Sequence, residues 1–285
     1  MTFIEAVMHY GFLQKALLTS IMVGIICGVI GCFIILRGMA LMGDAISHAV
    51  LPGVAISYML GINFFFGAVF SGVLTAIAIG FVSQNSRIKH DTSIGIMFTC
   101  AFASGIIIIT LLKSSTDLYH ILFGNVLAVR QSDMLITLGI GIFVLATVYL
   151  FYKELLVTSF DETMAGAYGL PVRLIHYFLM TLLTMVTVAS LQTVGIVLVV
   201  AMLITPAAAA YLLTERLSVM IFLAAGIGVI SSIIGLYFSF TYNLASGATI
   251  VLAATAIFIL VFLLSPKHGF IWKAIRLKKK RASLA

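Results

Sequence analysis

The amino-acid sequence predicts an all-α membrane protein with eight to nine transmembrane helices. Of its 285 residues, 62% are hydrophobic and only 9% are charged, whereas soluble domains carry roughly 25% charged residues. Apolar runs of about 20 residues, the length that crosses a bilayer as a helix, recur along the chain. The alternating pattern of a β-barrel is absent, and lipid does not tolerate an open strand edge, so every span is predicted to be helical.

The first predicted element is an amphipathic helix over residues 1–16, whose apolar side chains follow helical spacing. We expect it to lie at the membrane interface and to lead into the first span. We predict a single transmembrane domain over 1–285, with nine spans, or eight if one shorter or polar-interrupted segment is re-entrant. The candidate spans lie at about 17–36, 40–60, 64–83, 93–112, 132–152, 173–191, 194–213, 217–240 and 247–265.

Basic residues predict the orientation, because loops rich in Lys and Arg stay on the cytoplasmic side. In the nine-span arrangement, the basic loops 83–92 and 153–172 share one side with the tail 266–285, which holds seven of the sixteen Lys and Arg. We therefore expect a cytoplasmic C-terminus whose basic tail meets anionic lipid rather than nucleic acid. The segment 113–133 then lies outside, where a short extracellular helix at 118–128 fits. The N-terminus is outside with nine spans and inside with eight.

Asp44 is the acidic residue that a loop position explains least well. It lies near or within the span 40–60, and an ionised carboxylate in hydrocarbon costs about 3 kcal/mol or more. His48 follows four residues later, so both side chains share one helix face, with Cβ atoms about 6 Å apart. The other eight Asp and Glu are predicted at the termini or in loops: Glu5, Asp91, Asp117, Asp133, Glu154, Asp161, Glu162 and Glu215.

The Asp44–His48 pair has three interpretations: a neutralised pair that joins two helices, a cation site, or a proton relay. A carboxylate and a neutral imidazole suit divalent Mn, Fe or Zn. Two ligands are too few to hold an ion tightly, but two copies facing across the axis of a symmetric dimer supply four. Pro52, on the next turn, either kinks the helix for packing or frees carbonyls that line a path.

The segment FDETMAGAYGLPV at 160–172 predicts a short helix on the cytoplasmic face. Asp161 and Glu162 fall in its first turn, where acidic side chains complement the helix dipole. Gly169 is a plausible end of the helix, and Pro171 prevents its continuation. This helix is either an ordinary capped linker or a docking helix for a soluble motor subunit.

Sequence motifs of enzymes are missing. The chain has no phosphate-binding G-x-x-x-x-G-K-[ST] sequence, so it has no ATP-hydrolysing site of its own. It has no zincin or nucleophile-elbow motif either. Its three cysteines, Cys27, Cys32 and Cys100, lie in apolar runs without metal-binding or disulfide spacing. We therefore predict a protein that is not an enzyme.

Four motifs occur in order over nearly the whole chain: ALMGDAISHAVLPGVAISYMLG at 40–61, LYHILFGNVLAV at 118–129, FDETMAGAYGLPV at 160–172 and VGIVLVVAMLITPAAAAYLLT at 194–214. Together they resemble the permeases of bacterial ABC importers for manganese, zinc and iron. The manganese branch of Gram-positive bacteria is the nearest. The first and third motifs are the specific ones.

The resemblance implies a homodimeric permease of the type II ABC importer kind in the bacterial cell membrane. Each protomer would dock one cytoplasmic ATPase, and an extracellular metal-binding protein or lipoprotein would deliver the ion. Asp44 and His48 match the acid and histidine that contact the metal in this family. Asp161, Glu162 and Gly169 fall in the segment that matches its ATPase-coupling helix. The implied cargo is Mn²⁺, with Zn²⁺ or Fe²⁺ as alternatives, and no permanently bound cofactor is expected.

Two other functions are compatible with the residues themselves. An ion- or proton-coupled secondary transporter would use Asp44 and His48 as a proton relay and would need no ATPase. A purely structural membrane subunit would not need the pair for transport at all. Metal uptake with and without a co-expressed ATPase distinguishes these possibilities.

Overall fold

The computed structural model describes residues 3–111 and 126–265 of the chain. Within these two ranges it contains thirteen α-helices, one short 3-10 turn and no β-strand, which confirms the all-α prediction. Eight of the helices are long and apolar enough to cross a membrane. Most of the predicted helix at 118–128 and the whole basic tail at 266–285 lie outside the described residues.

Within each described range, the helices follow one another in chain order through short connections. The elements are α1 Phe3–His9, α2 Gly11–Leu36, α3 Met42–Ala49, α4 Leu51–Leu60, α5 Phe64–Asn85, α6 His90–Leu111, the 3-10 turn Val126–Ala128, α7 Gln131–Leu150, α8 Tyr152–Phe160, α9 Glu162–Ala167, α10 Val172–Val194, α11 Ile196–Leu213, α12 Leu217–Tyr242 and α13 Ser246–Leu264. The eight of membrane-spanning length are α2, α5, α6, α7, α10, α11, α12 and α13.

The predicted span at 40–60 is a broken helix rather than a continuous one. Its halves, α3 and α4, have 8 and 10 residues and meet at Val50. Pro52 lies in the first turn of α4, where its missing N–H leaves no helical hydrogen bond unmade. Both halves pack against α5 and α6. The break therefore precedes the proline, and the second span consists of two short rigid pieces.

The N-terminal helix is shorter than the predicted range 1–16. Helix α1 ends at His9, and the long helix α2 already begins at Gly11. Leu13 and Ala16 are fully buried, so one face of this stretch packs in the bundle, while Phe12 on the other face is exposed. No proline interrupts the apolar residues between Gly11 and the predicted first span at 17–36, so α2 runs through both. The ring of Phe3 packs against Tyr237 of α12, with centroids 5.5 Å apart.

Helix α2 lies at the centre of the bundle, in contact with α7, α10, α11 and α12. Its approach to α12 requires glycine on both sides. A Cβ atom added at Gly24 would lie 2.9 Å from the backbone of Gly228. Small residues allow such close contact, and dispersion forces between closely packed helices stabilise membrane bundles.

The helices alternate between two ends of the bundle. At one end, residues of α5, α6, α9 and α10 surround a cavity beside Arg37, which follows α2. We call this the α9 end. At the opposite end, a second cavity lies between the α4–α5 turn, the start of α7 and the last turns of α10.

The first and last described helices place the two termini of the bundle at different ends. Helix α1 packs on α12 near its C-terminal end, at the opposite end from α9. Ser265 Oγ, after α13, donates a hydrogen bond to Leu212 O, whose helix finishes beside Leu36 and Phe160 at the α9 end. The path from 3 to 265 thus crosses the bundle an odd number of times. This matches the nine-span arrangement, with α3 and α4 counted as one crossing.

Candidate functional site

Helix α3 carries the two polar residues that the sequence predicts as a pair. His48 Nε2 lies 3.5 Å from Asp44 Oδ1, in an i,i+4 arrangement. This distance is within ion-pair range but longer than a good hydrogen bond. The structure therefore brings Asp44 and His48 together on one face, with their donor atoms able to approach a common ligand.

The pair opens into a cavity of about 500 Å³ whose remaining wall is almost entirely apolar. The side chains of His48 and Asp44 are 30% and 47% exposed. Carboxylate and imidazole atoms in apolar surroundings interact more strongly with an ion than they would in water. The other lining residues come from α11 and α13: Ile196, Val197, Val200, Ala201, Ile204, Thr205 and Val251.

Aromatic packing fixes the imidazole ring of His48. Its centroid lies 5.4 Å from that of Phe102, edge to face, and 6.2 Å from that of Phe98. The buried Nδ1 atom has no hydrogen-bond partner. Packing against α6, rather than a second hydrogen bond, thus holds the ring with Nε2 towards Asp44.

The rest of α3 supports the pair without adding ligands. Ser47 Oγ donates to the carbonyl of Gly43 at 2.8 Å, so this buried hydroxyl is used within its own helix. A Cβ atom at Gly43 would lie 2.9 Å from the side chain of Leu203. The small residue therefore lets α3 sit close to α11, which forms the facing wall of the cavity.

One carbonyl beside the helix break is already used in packing between helices. Ala49 O accepts a hydrogen bond from Ser71 Oγ of α5 at 2.7 Å. Just beyond Pro52, Gly53 of α4 is in close contact with Gly67 of α5. Of the two roles open to Pro52, these contacts favour a break made for packing.

One chain supplies only two donors at this site. Among the described residues, no group of three or more His, Cys, Asp or Glu is placed to hold a metal ion. Transition-metal sites in proteins commonly use four or more ligands. A metal at Asp44 and His48 would thus need water or a second copy of the chain to complete its coordination.

The residues predicted in the segment 160–172 lie at the α9 end, away from the pair. Asp161 caps α9, its Oδ1 accepting from the backbone N–H groups of Thr163 and Met164, each at 2.9 Å. Glu162 is the first residue of the helix. Gly169 has φ +80°, a left-handed conformation that glycine adopts without strain. A six-residue helix is thus closed by sequence signals at both ends.

Arg37 is a partly buried arginine that the sequence analysis did not single out. Its Nη2 donates to Thr158 Oγ1 at 2.6 Å and its Nε to Ser159 Oγ at 3.2 Å. Burial lowers the pKa of the guanidinium, and the nearby Glu162 carboxylate opposes that shift. The only available signal was a basic residue directly after an apolar run, and its partners are 121 and 122 positions away.

Comparison with known proteins places this architecture among multi-pass membrane transport proteins. The sequence profile of the ABC 3 transport family matches residues 9–265. The chain belongs to this family. It is a transport subunit rather than an enzyme, as the sequence predicts.

Individual relatives agree over almost the full length. The Listeria innocua protein named manganese transport system membrane protein MntC is 68% identical over 95% of this chain and 97% of its own. The Streptococcus gordonii manganese import system permease protein ScaB is 52% identical over 96% of this chain and 99% of its own. The solved structure of PsaBC from Streptococcus pneumoniae in complex with Fab has TM-score 0.86 and 53% identity, covering 97% of this chain and 98% of that chain. The predicted ABC-importer-like permease fold is confirmed.

Proposed function

We propose that this chain is the membrane permease of an ATP-driven ABC importer for a divalent transition-metal ion, with Mn²⁺ as its cargo. The observation that carries the proposal is the Asp44–His48 pair in an otherwise apolar cavity. Relatives up to 68% identical are named for manganese transport, which favours Mn²⁺. Zn²⁺ and Fe²⁺ are the alternative cargoes, because they accept the same carboxylate and imidazole ligands.

A homodimer would complete the site. Asp44 is nearly half exposed on a helix that packs among the membrane-spanning ones, and a carboxylate left uncovered in the hydrocarbon region costs about 3 kcal/mol or more. A second copy covering this face would remove that cost and bring two further donors. Four ligands, shared between two chains, would hold the ion strongly enough to receive it and weakly enough to release it.

We assign the α9 end to the cytoplasm, because the basic loops predicted to be cytoplasmic lie there. The C-terminal tail would then be cytoplasmic, near anionic lipid, and the N-terminus would be outside. A separate ATPase would dock at α9, where Asp161, Glu162 and Gly169 define a short protruding helix. An extracellular metal-binding protein or lipoprotein would release the ion at the opposite end, above the Asp44–His48 cavity.

Transport by the reconstituted complex tests this function. Proteoliposomes containing the chain, its ATPase and the binding protein should accumulate radioactive Mn²⁺ only when ATP is supplied. Competition by unlabelled Zn²⁺ and Fe²⁺ then ranks the cargoes. Metal accumulation by the chain alone, driven by a proton gradient, would contradict the proposal and favour a secondary transporter.

A further inference from the structure

Arg37 lies at the junction between the central helix and the helix that carries the candidate metal ligands. It directly follows α2, and residues 37–41 alone separate α2 from α3. Gly38 has φ +67°, which turns the chain sharply, and the Met39 N–H donates to Ile34 O at 3.0 Å. This connection is therefore short and hydrogen-bonded, so a displacement of Arg37 is passed to the start of α3.

The guanidinium joins this connection to the last turn of α8. Thr158 Oγ1 donates to Glu154 O at 2.8 Å, and Ser159 Oγ donates to Leu155 O at 2.6 Å. Because both hydroxyl protons are used within α8, their oxygen lone pairs are fixed to accept from Arg37. Hydrogen bonds from a charged donor are about twice as strong as neutral ones. Arg37 thus makes two hydrogen bonds to residues that are distant from it in the sequence.

The same contact lies next to α9. Ser159 is followed by Phe160 and by Asp161, the residue that caps α9. Arg37 and Glu162 line one cavity of about 610 Å³ without forming an ion pair within 4 Å. The third guanidinium nitrogen, Nη1, is buried without a hydrogen-bond partner. Arg37 thus contacts the last turn of α8, which directly precedes α9, and retains one unused buried donor.

We propose that Arg37 is a positioning residue that couples the movement of α9 to α3, and so to Asp44 and His48. The inference rests on the proposed function, in which an ATPase docks at α9. Displacement of α9 would move the last turn of α8, and the hydrogen bonds to Thr158 and Ser159 would carry that movement to residues 37–41.

A competing route exists through the segment between α9 and α10. Leu170 N–H donates to Ala165 O at 3.1 Å, and α10 also contacts α3. If this route alone carried the movement, the side chain of Arg37 would matter for folding but not for coupling. The two routes can be separated because only one of them uses the guanidinium.

The test compares Arg37→Met with wild type in the assembled complex with ATPase and binding protein. Met keeps most of the aliphatic stem and removes all donors. We expect Mn²⁺ binding and ATP hydrolysis to persist, while the amount of Mn²⁺ imported per ATP hydrolysed falls at least roughly fivefold. The matched control is Arg173→Met, which removes an exposed arginine from the same cavity wall and should leave the ratio unchanged.

A second variant removes the acceptors instead of the donor. The double change Thr158→Val and Ser159→Ala should also lower the amount of Mn²⁺ imported per ATP. Adding Arg37→Met to this double variant should lower it little further, because all three changes remove the same interaction. If Arg37→Met does not assemble, this double variant decides the question. A wild-type ratio in either assembled variant overturns the proposal. Asp44→Asn, measured in parallel, separates the proposed metal site from the coupling role of Arg37. Normal Mn²⁺ uptake by Asp44→Asn would contradict the metal site, whereas the coupling role would still be judged by the Mn²⁺ imported per ATP in the Arg37 variants.

Discussion

Asp44 and His48, the proposed metal ligands, owe their suitability for that role to their surroundings. The pair lies 3.5 Å apart in a cavity whose other walls are almost wholly apolar, so few other groups compete for a cation. Phe98 and Phe102 hold the imidazole from the α6 side. A charge of this kind is expensive in a membrane protein, and such residues are usually retained for function.

Neutralising the carboxylate should abolish most transport. Asp44→Asn keeps the shape of the side chain but removes its charge, and we expect Mn²⁺ affinity to fall roughly ten- to hundred-fold or more. Equilibrium binding of Mn²⁺ to the purified permease measures this. Ser47→Ala is the matched control on the same helix, because its hydroxyl bonds only to Gly43 O. Equal affinity in Asp44→Asn and wild type would exclude Asp44 as a ligand.

The spacing of Asp44 and His48 was readable from the sequence, because an i,i+4 pair shares a helix face wherever a helix forms. Arg37 was not readable in this way. Its role depends on contacts with Thr158 and Ser159, more than 120 positions away, and helical periodicity carries no information about such pairs. Sequence thus predicts partners within one helix better than partners between helices.

Among the helices, α9 has only six residues, and the residues at its two ends fix where it begins and ends. A helix this short has almost no stability of its own, so its cap and its stop determine its position. Asp161 provides the cap, and Gly169, at φ +80°, provides the reversal towards α10. Both signals were visible in the sequence, since Asp before a helix and Gly after it are common boundary residues.

Replacing the glycine at the stop should disturb α9 while leaving the bundle intact. Gly169→Ala forces a Cβ atom into a left-handed conformation, at a cost of about 1 kcal/mol, although no atom obstructs it within 4 Å. We expect weaker co-purification of the ATPase with normal membrane insertion. Gly166→Ala, inside α9 and equally unobstructed, should be neutral or slightly stabilising. Equal loss of ATPase from both variants would mean that the conformation at 169 is not the cause.

Other element boundaries were predicted less accurately, each for a physical reason. The expected interfacial helix over 1–16 ends at His9, because the chain from Gly11 onward belongs to α2, which packs Leu13 and Ala16 in the bundle. In the predicted span at 40–60, Pro52 was expected to kink the helix, and the structure instead has a break at Val50, since Pro52 fits best in the first turn of a new helix. Hydropathy measures how apolar a segment is, and a helix with a break in it scores the same as one without.

For the whole molecule, the arrangement of the crossings places the two ends of the described chain on opposite sides of the bundle. It also leaves Asp44, on a short helix packed among the membrane-spanning ones, nearly half exposed on one chain. A single chain offers the proposed metal ion only two ligands, and the proposed homodimer is the simplest way to supply more.

Metal stoichiometry tests this arrangement directly. If Asp44 and His48 from two protomers share one ion, the saturated permease should bind about one Mn²⁺ per two chains, as a symmetric two-fold site requires. Equilibrium dialysis with elemental analysis of the purified protein gives this ratio. One ion per chain, with full affinity in a monomeric preparation, would show that each protomer binds alone.

The break at Val50 has a mechanical consequence. With the turn at Gly38 before it and the break after it, α3 is a rod only about 12 Å long, carrying both candidate ligands. A stiff membrane-length helix could reorient such ligands only by tilting as a whole through the surrounding lipid. A short rod that turns together with the hydrogen-bonded connection at 37–41 needs only a small rotation to present Asp44 and His48 to one side or the other. Alternating access would then require little work against the bilayer.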